Sequence, residues 1–168
     1  LNLSIKKRES FRPFAPIILL EQVHNWFKWP RGIESPYMLF TAEVADSELL
    51  KVKSSQSSVS LVDQLNSIRS RIPAVTHVDN SARIQTINEL HPLRNVLNSY
   101  YSKSGSPVLI NTSFNVRGEP IVESPTDAMN CFINTDIDYL AMENFLIDAR
   151  AKTDSIKRLF KGTTFELD

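Results

Sequence analysis

The sequence predicts a mixed α/β (α+β) fold, with helices set around a twisted mixed sheet. Three observations predict it. Apolar runs of strand length recur along the chain, at Ile17–Leu20, Pro36–Val44, Pro73–Asp79 and Pro107–Ile110. Windows with helical spacing or helix-start chemistry lie between and after them, at Leu90–Tyr101 and Pro125–Ile133. The order contains no repeated βαβ unit, which argues against a doubly wound parallel sheet.

Taken in order, residues 1–16 are basic and Pro-punctuated, and Pro13 and Pro16 disfavour a helix there. If the segment is extended, Lys6 and Arg8 project from one face and Lys7 from the other. Ile17–Leu20 predicts a strand, and Glu21–Phe27 a short helix closed by Pro30-Arg31-Gly32. Pro36–Val44 reads as a buried strand. Residues 45–60, rich in Ser, Lys and Gln, read as a surface excursion, and Leu61, Leu65 and Ile68 as a helical face. Pro73–Asp79 and Ala82–Ile87 read as strands joined by a turn at Asn80-Ser81. Leu90–Tyr101 predicts a helix with Leu93, Val96, Leu97 and Tyr100 on one side, ended at Ser104-Gly105-Ser106. Pro107–Ile110 is a short strand. Ser124-Pro125-Thr126-Asp127 has the chemistry of a helix start, with Pro in the first turn, and that helix runs to about Ile133. Tyr139–Met142 and Phe145–Ile147 read as a hairpin around Glu143-Asn144. The charged tail 150–168 shows no clear partner.

Length and composition narrow the function. The 168 residues suit one domain, which buries roughly 70% of its unfolded surface without needing metals or disulfides. Lys plus Arg and Asp plus Glu each number 19. That balance weighs against nucleic acid as the main partner, which demands a basic face. The single Cys131 excludes a disulfide framework and a CxxC metal motif and fits a reducing, cytoplasmic setting. No apolar run approaches the ~18 residues of a membrane span. The chain begins Leu1-Asn2-Leu3, which reads as a piece of a longer protein. Walker, GxGxxG and GxSxG motifs are absent. His24 and His91 stand in unrelated contexts, with no HExxH, so no metal site is expected.

Three segments carry candidate chemistry. In the basic stretch, Lys6, Arg8 and Arg12 can clamp phosphates, with Arg forks bidentate and Lys a point charge. The alternative is a solvated basic face partly neutralised by Glu9. In the loop after the strand Pro107–Ile110, Asn111, Thr112, Ser113 and Asn115 supply amides and hydroxyls, followed by Arg117 and Gly118. The alternative there is a turn whose side chains satisfy their own backbone. Between them, His77 and Asp79 share a face if extended, as do Arg83 and Gln85. Such a set suits an anionic substrate, the alternative being an exposed strand face with a structural His77–Asp79 hydrogen bond. The first two segments together predict one anion-binding pocket.

The motifs Lys6-x-Arg8-Glu9-x-x-Arg12-Pro13-Phe14-Ala15-Pro16, Ser35-Pro36-Tyr37-Met38, Thr76-His77-Val78-Asp79-x-x-Ala82-Arg83-x-Gln85 and Asn111-Thr112-Ser113-Phe114-Asn115-x-x-Gly118-Glu119-Pro120-Ile121-Val122 occur in that order. Together they resemble the C-terminal, YrdC-like domain of the NodU/CmcH-type O-carbamoyltransferase family, over about residues 1–149. One departure is Asn80-Ser81, where the family usually shows a Gly and a small hydroxyl residue. The resemblance implies a YrdC-like twisted mixed sheet with an open concave face that takes carbamoyl phosphate and ATP, with Mg²⁺ on the phosphates. Carbamate released from carbamoyl phosphate then attacks the ATP α-phosphorus, giving carbamoyl-adenylate and pyrophosphate. Lys6, Arg8, His77, Arg83 and Ser113 are the implied catalytic residues. Arg12, Asp79, Gln85, Asn111, Thr112, Asn115 and Arg117 are the implied substrate and ATP contacts. A separate N-terminal, actin-like domain with an iron site, absent from this chain, would move the carbamoyl group to a hydroxyl. The alternative function is a non-catalytic module of the same fold that binds RNA or nucleotide.

Overall fold

In the computed structural model, residues 1–50 and 67–160 are described. They group into two compact units, Pro13–Thr112 and the pair Leu1–Arg12 with Ser113–Asp168. The predicted positions Leu61 and Leu65 lie outside the described residues, and Ile68 is exposed.

The unit Pro13–Thr112 is built on a four-stranded mixed sheet in the order β2-β3-β1-β4. The strands are β1 Ala15–Leu19, β2 Phe40–Glu43, β3 Ser81–Ile87 and β4 Val108–Asn111. β1 runs parallel to β3, with Ile17 opposite Gln85, and antiparallel to β4, with Ala15 opposite Asn111. It is central and apolar throughout, so all five of its residues are buried. Side-chain alternation divides the apolar residues between two faces. Ile18, Ala82, Ile84 and Val108 join Val23, Trp26 and Phe27 in one cluster. Ile17, Leu19, Ile87 and Leu109 join Leu97 and Tyr101 in the other. α1, Val23–Trp26, supplies the first cluster, and α2, Arg94–Ser104, the second.

Several expectations shift here. Pro36–Val44 is not a buried strand. Only Phe40–Glu43 joins the sheet, at its edge, with Val44 in a single bridge to Phe27, and Tyr37, Leu39 and Phe40 are exposed. Within the stretch Ala42 and Val44 are buried in the first cluster, and just before it Ser35 is buried too. Its N–H donates to Thr86 Oγ1 at 2.7 Å and its hydroxyl to the Ile84 carbonyl at 3.1 Å. Pro73–Asp79 is a turn and loop, not a strand. Pro73–Val75 forms a tight helical turn, and the Thr76 hydroxyl donates to the Ile72 carbonyl at 2.9 Å, binding the segment to itself. α2 starts at Arg94, beyond Pro92, and buries Leu97, with Tyr101 one turn on. Leu93, Val96 and Tyr100 are exposed. Gly105, at φ 71°, ends it as expected. β4 sits at an edge, which leaves Ile110 exposed.

In the other unit, α3, Pro125–Ile133, begins at a reciprocal cap. Asp127 N–H donates to Ser124 Oγ at 3.2 Å, and Ser124 N–H to Asp127 Oδ2 at 3.1 Å. A hairpin of β5, Tyr139–Met142, and β6, Phe145–Asp148, follows, turning at Glu143 with φ 50°. Phe132, Ile133 and Leu140 centre its apolar cluster. The tail has a partner after all. Ile156 of α4, Asp154–Leu159, and Phe160 pack on this cluster. Lys152 Nζ donates to the carbonyls of Thr135 at 2.8 Å and Ile137 at 2.7 Å, and lies 4.1 Å from the Phe132 ring centroid. Lys152→Met should therefore destabilise the chain by about 1–3 kcal/mol, since two carbonyls lose their donor. Urea denaturation measures this. Among the described residues, no helix is long and apolar enough to cross a membrane.

Candidate functional site

Leu1–Arg12 does not run extended. Asn2–Lys6 makes one wide helical turn, in which the N–H groups of Ile5 and Lys6 both donate to the Leu1 carbonyl at 3.0 Å. Lys7 then turns left-handed, at φ 50°, and Arg8 N–H closes on the Asn2 carbonyl at 3.1 Å. This conformation is unfavourable for a lysine, and it reverses the chain. Lys6 and Arg8 face one cavity because of that reversal and not because of strand alternation, while Lys7 is left exposed.

Ser113–Glu119 supplies the rest of the wall. Lys6 Nζ, on a residue only 6% exposed, donates to the Ser113 carbonyl at 2.9 Å, the Asn115 carbonyl at 2.6 Å and Asn115 Oδ1 at 2.8 Å. Ser113 Oγ is a further 3.4 Å contact and itself donates to Asn115 Oδ1 at 2.7 Å. Asn115 Nδ2 donates to the Glu119 carbonyl at 2.8 Å, and Gly118, at φ 81°, makes the turn between them. Three ammonium protons meet four oxygens. Lys6 is thus a tether that fixes the loop, adding its charge to the cavity without an idle donor.

Lys6, Arg8, Glu9, Arg12, Ser113, Asn115 and Val116–Glu119 enclose a cavity of about 260 Å³. Four cations, with Arg117 the fourth, face two carboxylates there, although the chain as a whole carries no net charge. Arg8 Nε donates to Asn2 Oδ1 at 2.7 Å. Arg12 lies 3.9 Å from Glu9, with both side chains about half exposed, so that pair is weak. Burial, then the Arg8 charge, hold the Lys6 ammonium below its ordinary value, with Cys131 and Glu119 opposing. Burial, then Arg12, lower Arg8 likewise. The cations repel one another, and an anion would relieve that repulsion.

Cys131 lies buried behind this wall. Burial, then Glu119, push its thiol up to about 11 from 9.0, against the pull of Lys6. A raised folded value stabilises below pH 9, and that contribution is lost as pH rises toward about 11. The expected results are slow alkylation by iodoacetamide at pH 8, fast only after denaturation, and a shallower alkaline loss of stability in Cys131→Ala.

The remaining predicted residues belong to the unit Pro13–Thr112. Asn111 Nδ2 donates to Gln85 Oε1 and lies 3.8 Å from Met38 Sδ, and Gln85 Nε2 donates to the Pro36 carbonyl at 2.8 Å. Thr112 is exposed, as is Arg83 on β3. His77 and Asp79 do not share a strand face. They flank a turn in which His77 N–H donates to the Ser81 carbonyl at 2.8 Å and Ser81 N–H to Asp79 Oδ1 at 2.9 Å. The Ser81 side chain first, and then that second bond, keep the Asp79 carboxyl below its usual value. Asn80 takes φ 63°, a conformation that favours Gly, and Asn is among the residues that tolerate it. Sequence reasoning missed Asn2 and Glu119. A buried Asn four residues before the first lysine carries no motif of its own.

Residues 1–149 match the family model described as Carbamoyltransferase C-terminus. The chain belongs to that family. This carbamoyltransferase C-terminal domain is 45% identical to an uncharacterized protein of Synechocystis sp., over 100% of the chain and 27% of that protein. It is 37% identical to the nodulation protein NolNO of Sinorhizobium fredii, over 89% of the chain and 20% of the relative. It is 33% identical to the 3'-hydroxymethylcephem-O-carbamoyltransferase of Amycolatopsis lactamdurans, over 73% of the chain and 19% of the relative. The domain thus spans about a fifth to a quarter of the length of these relatives.

Proposed function

We propose that this domain forms carbamoyl-adenylate from carbamoyl phosphate and ATP, within an O-carbamoyltransferase of the cytoplasm. A separate N-terminal actin-like domain, which would carry the iron site, passes the carbamoyl group to a hydroxyl acceptor. The observation that carries this reading is the cationic cavity fixed by the Lys6 tether, in a domain whose relatives include a named carbamoyltransferase. At about 260 Å³ the cavity is below the roughly 300–1,000 Å³ of pockets that enclose a whole drug-sized ligand. Its size and charge suit the phosphate portion of a substrate.

In this reading, water hydrolyses carbamoyl phosphate, breaking its bond to phosphate and giving carbamate, inorganic phosphate and a proton. A carbamate oxygen then attacks the ATP α-phosphorus, the α–β bridging bond breaks, and pyrophosphate leaves. Arg8, Arg12 and Arg117 neutralise phosphate oxygens, and Ser113 and Asn115 orient them. Lys6 holds the loop and adds charge. In the sheet unit, Arg83 and His77 act on carbamoyl phosphate, with His77 also a candidate acid–base group. Asp79, Gln85, Asn111 and Thr112 orient substrate. Among the described residues, no three His, Cys, Asp or Glu side chains are grouped to hold a metal ion. Mg²⁺ would ride on phosphate oxygens and water.

Pyrophosphate release from ATP that depends on carbamoyl phosphate tests the proposal. Salt-dependent RNA binding without ATP turnover would favour a non-catalytic binding module instead.

A further inference from the structure

We infer that Asn2 is the positioning residue for Arg8, acting on anion binding from behind the cavity wall. Asn2 is 8% exposed and does not line the cavity. Its side chain makes three contacts, all within the basic segment. Oδ1 accepts Arg8 Nε–H at 2.7 Å. Nδ2 donates to the carbonyls of Ser10 at 3.1 Å and Arg12 at 2.7 Å. The Asn2 carbonyl also accepts Arg8 N–H at 3.1 Å. One buried amide thus holds the Arg8 guanidinium by its Nε and closes the loop that carries Arg12.

The chemistry favours an amide at this place. The side chain must accept at one end and donate twice at the other, which Asn does with its carbonyl and its NH₂. An Asp would offer Arg8 an acceptor but leave the Ser10 and Arg12 carbonyls without a donor. A guanidinium fixed through Nε keeps its plane in one orientation, and bidentate recognition of a phosphate depends on that plane. Without Asn2, Arg8 would keep its charge but lose this anchor, so the ordering would have to be supplied on binding.

The inference rests on the reading of the cavity as a phosphate site, and a double-mutant cycle separates the two. The probe is inorganic pyrophosphate, titrated calorimetrically into the wild-type chain, Asn2→Ala, Arg8→Ala and the double variant, with the thermal midpoint of each recorded. Arg8→Ala should weaken binding about a hundredfold, and Asn2→Ala about tenfold. In the Arg8→Ala background, Asn2→Ala should cost less than about threefold, because a residue acting through Arg8 has nothing left to act on. Should Asn2→Ala not fold, Asn2→Ser goes through the same cycle. No loss in Arg8→Ala overturns the phosphate-site reading itself. A loss in Arg8→Ala with an unchanged Asn2 variant, or with losses that simply add, overturns the positioning role alone. Failure of both Asn2 variants to fold assigns Asn2 to the scaffold and overturns it as well.

Discussion

Arg8→Ala is expected to reduce carbamoyl-phosphate-dependent pyrophosphate release by about a hundredfold or more, with a change in thermal midpoint too small to account for it. Preorganised donors aimed at developing phosphate charge are each worth roughly this much. Arg8 lines the cavity and is oriented from behind by Asn2. Burial, and after it the neighbouring Arg12 charge, lower its proton affinity against the pull of Glu9, so the site holds mutually repelling cations before any anion arrives. Arg8→Lys should recover only part of the loss, since a lysine restores the charge without the planar fork. Steady-state assays of the three proteins check this. Equal activity in all three would remove Arg8 from the site.

Lys6→Met should cost both fold and function. The Lys6 ammonium is the donor to the Ser113 and Asn115 carbonyls and to Asn115 Oδ1. Methionine fills the space but leaves those oxygens without it. A buried acceptor left unpaired costs about 1–3 kcal/mol, so a loss of at least that size is expected by urea denaturation. Activity should fall by about a hundredfold or more, because the loop bearing Ser113, Asn115 and Arg117 loses its tether together with a positive charge. The contrast with Arg8→Ala is the informative part, since that variant takes the donor from one buried acceptor, Asn2 Oδ1, while Lys6→Met takes it from several and releases the loop, so the second should lose more stability. A Lys6→Met protein as stable as wild type would show that the tether is not what fixes the loop.

Legibility in the sequence followed how local the determinant was. The start of α3 could be read from Ser124, Pro125 and Asp127, because the cap is completed within four residues. β3 and the β5–β6 hairpin could be read from alternation and a turn, and both formed. Pro36–Val44 and Pro73–Asp79 misled because apolar composition does not tell a strand from a loop held by side-chain hydrogen bonds. Thr76 bonds back to Ile72 within its own turn, and Ser35 bonds across to Thr86 and Ile84 of β3, contacts that apolar composition does not reveal. The charged tail misled for a related reason. Its anchors are a lysine on two carbonyls and the apolar Ile156 and Phe160, and neither is visible in net charge.

The candidate site divides the same way. Lys6, Arg8, Ser113 and Asn115 were legible as residue types that suit an anion, and the structure brings them to one cavity. The means of convergence was not legible. It depends on a left-handed Lys7 and a buried Asn2, neither of which has a signature of its own. Nor did the sequence show that Lys6 would be occupied as a tether.

The most direct measurement follows two labels at once. The protein is incubated with radiocarbon-labelled carbamoyl phosphate and ATP labelled at the α-phosphorus, and the products are separated before any acceptor is added. Formation of carbamoyl-adenylate predicts one product carrying both labels, made in step with pyrophosphate and lost in Arg8→Ala. ATP cleaved only to ADP and phosphate, or labels that never meet in one molecule, would contradict it.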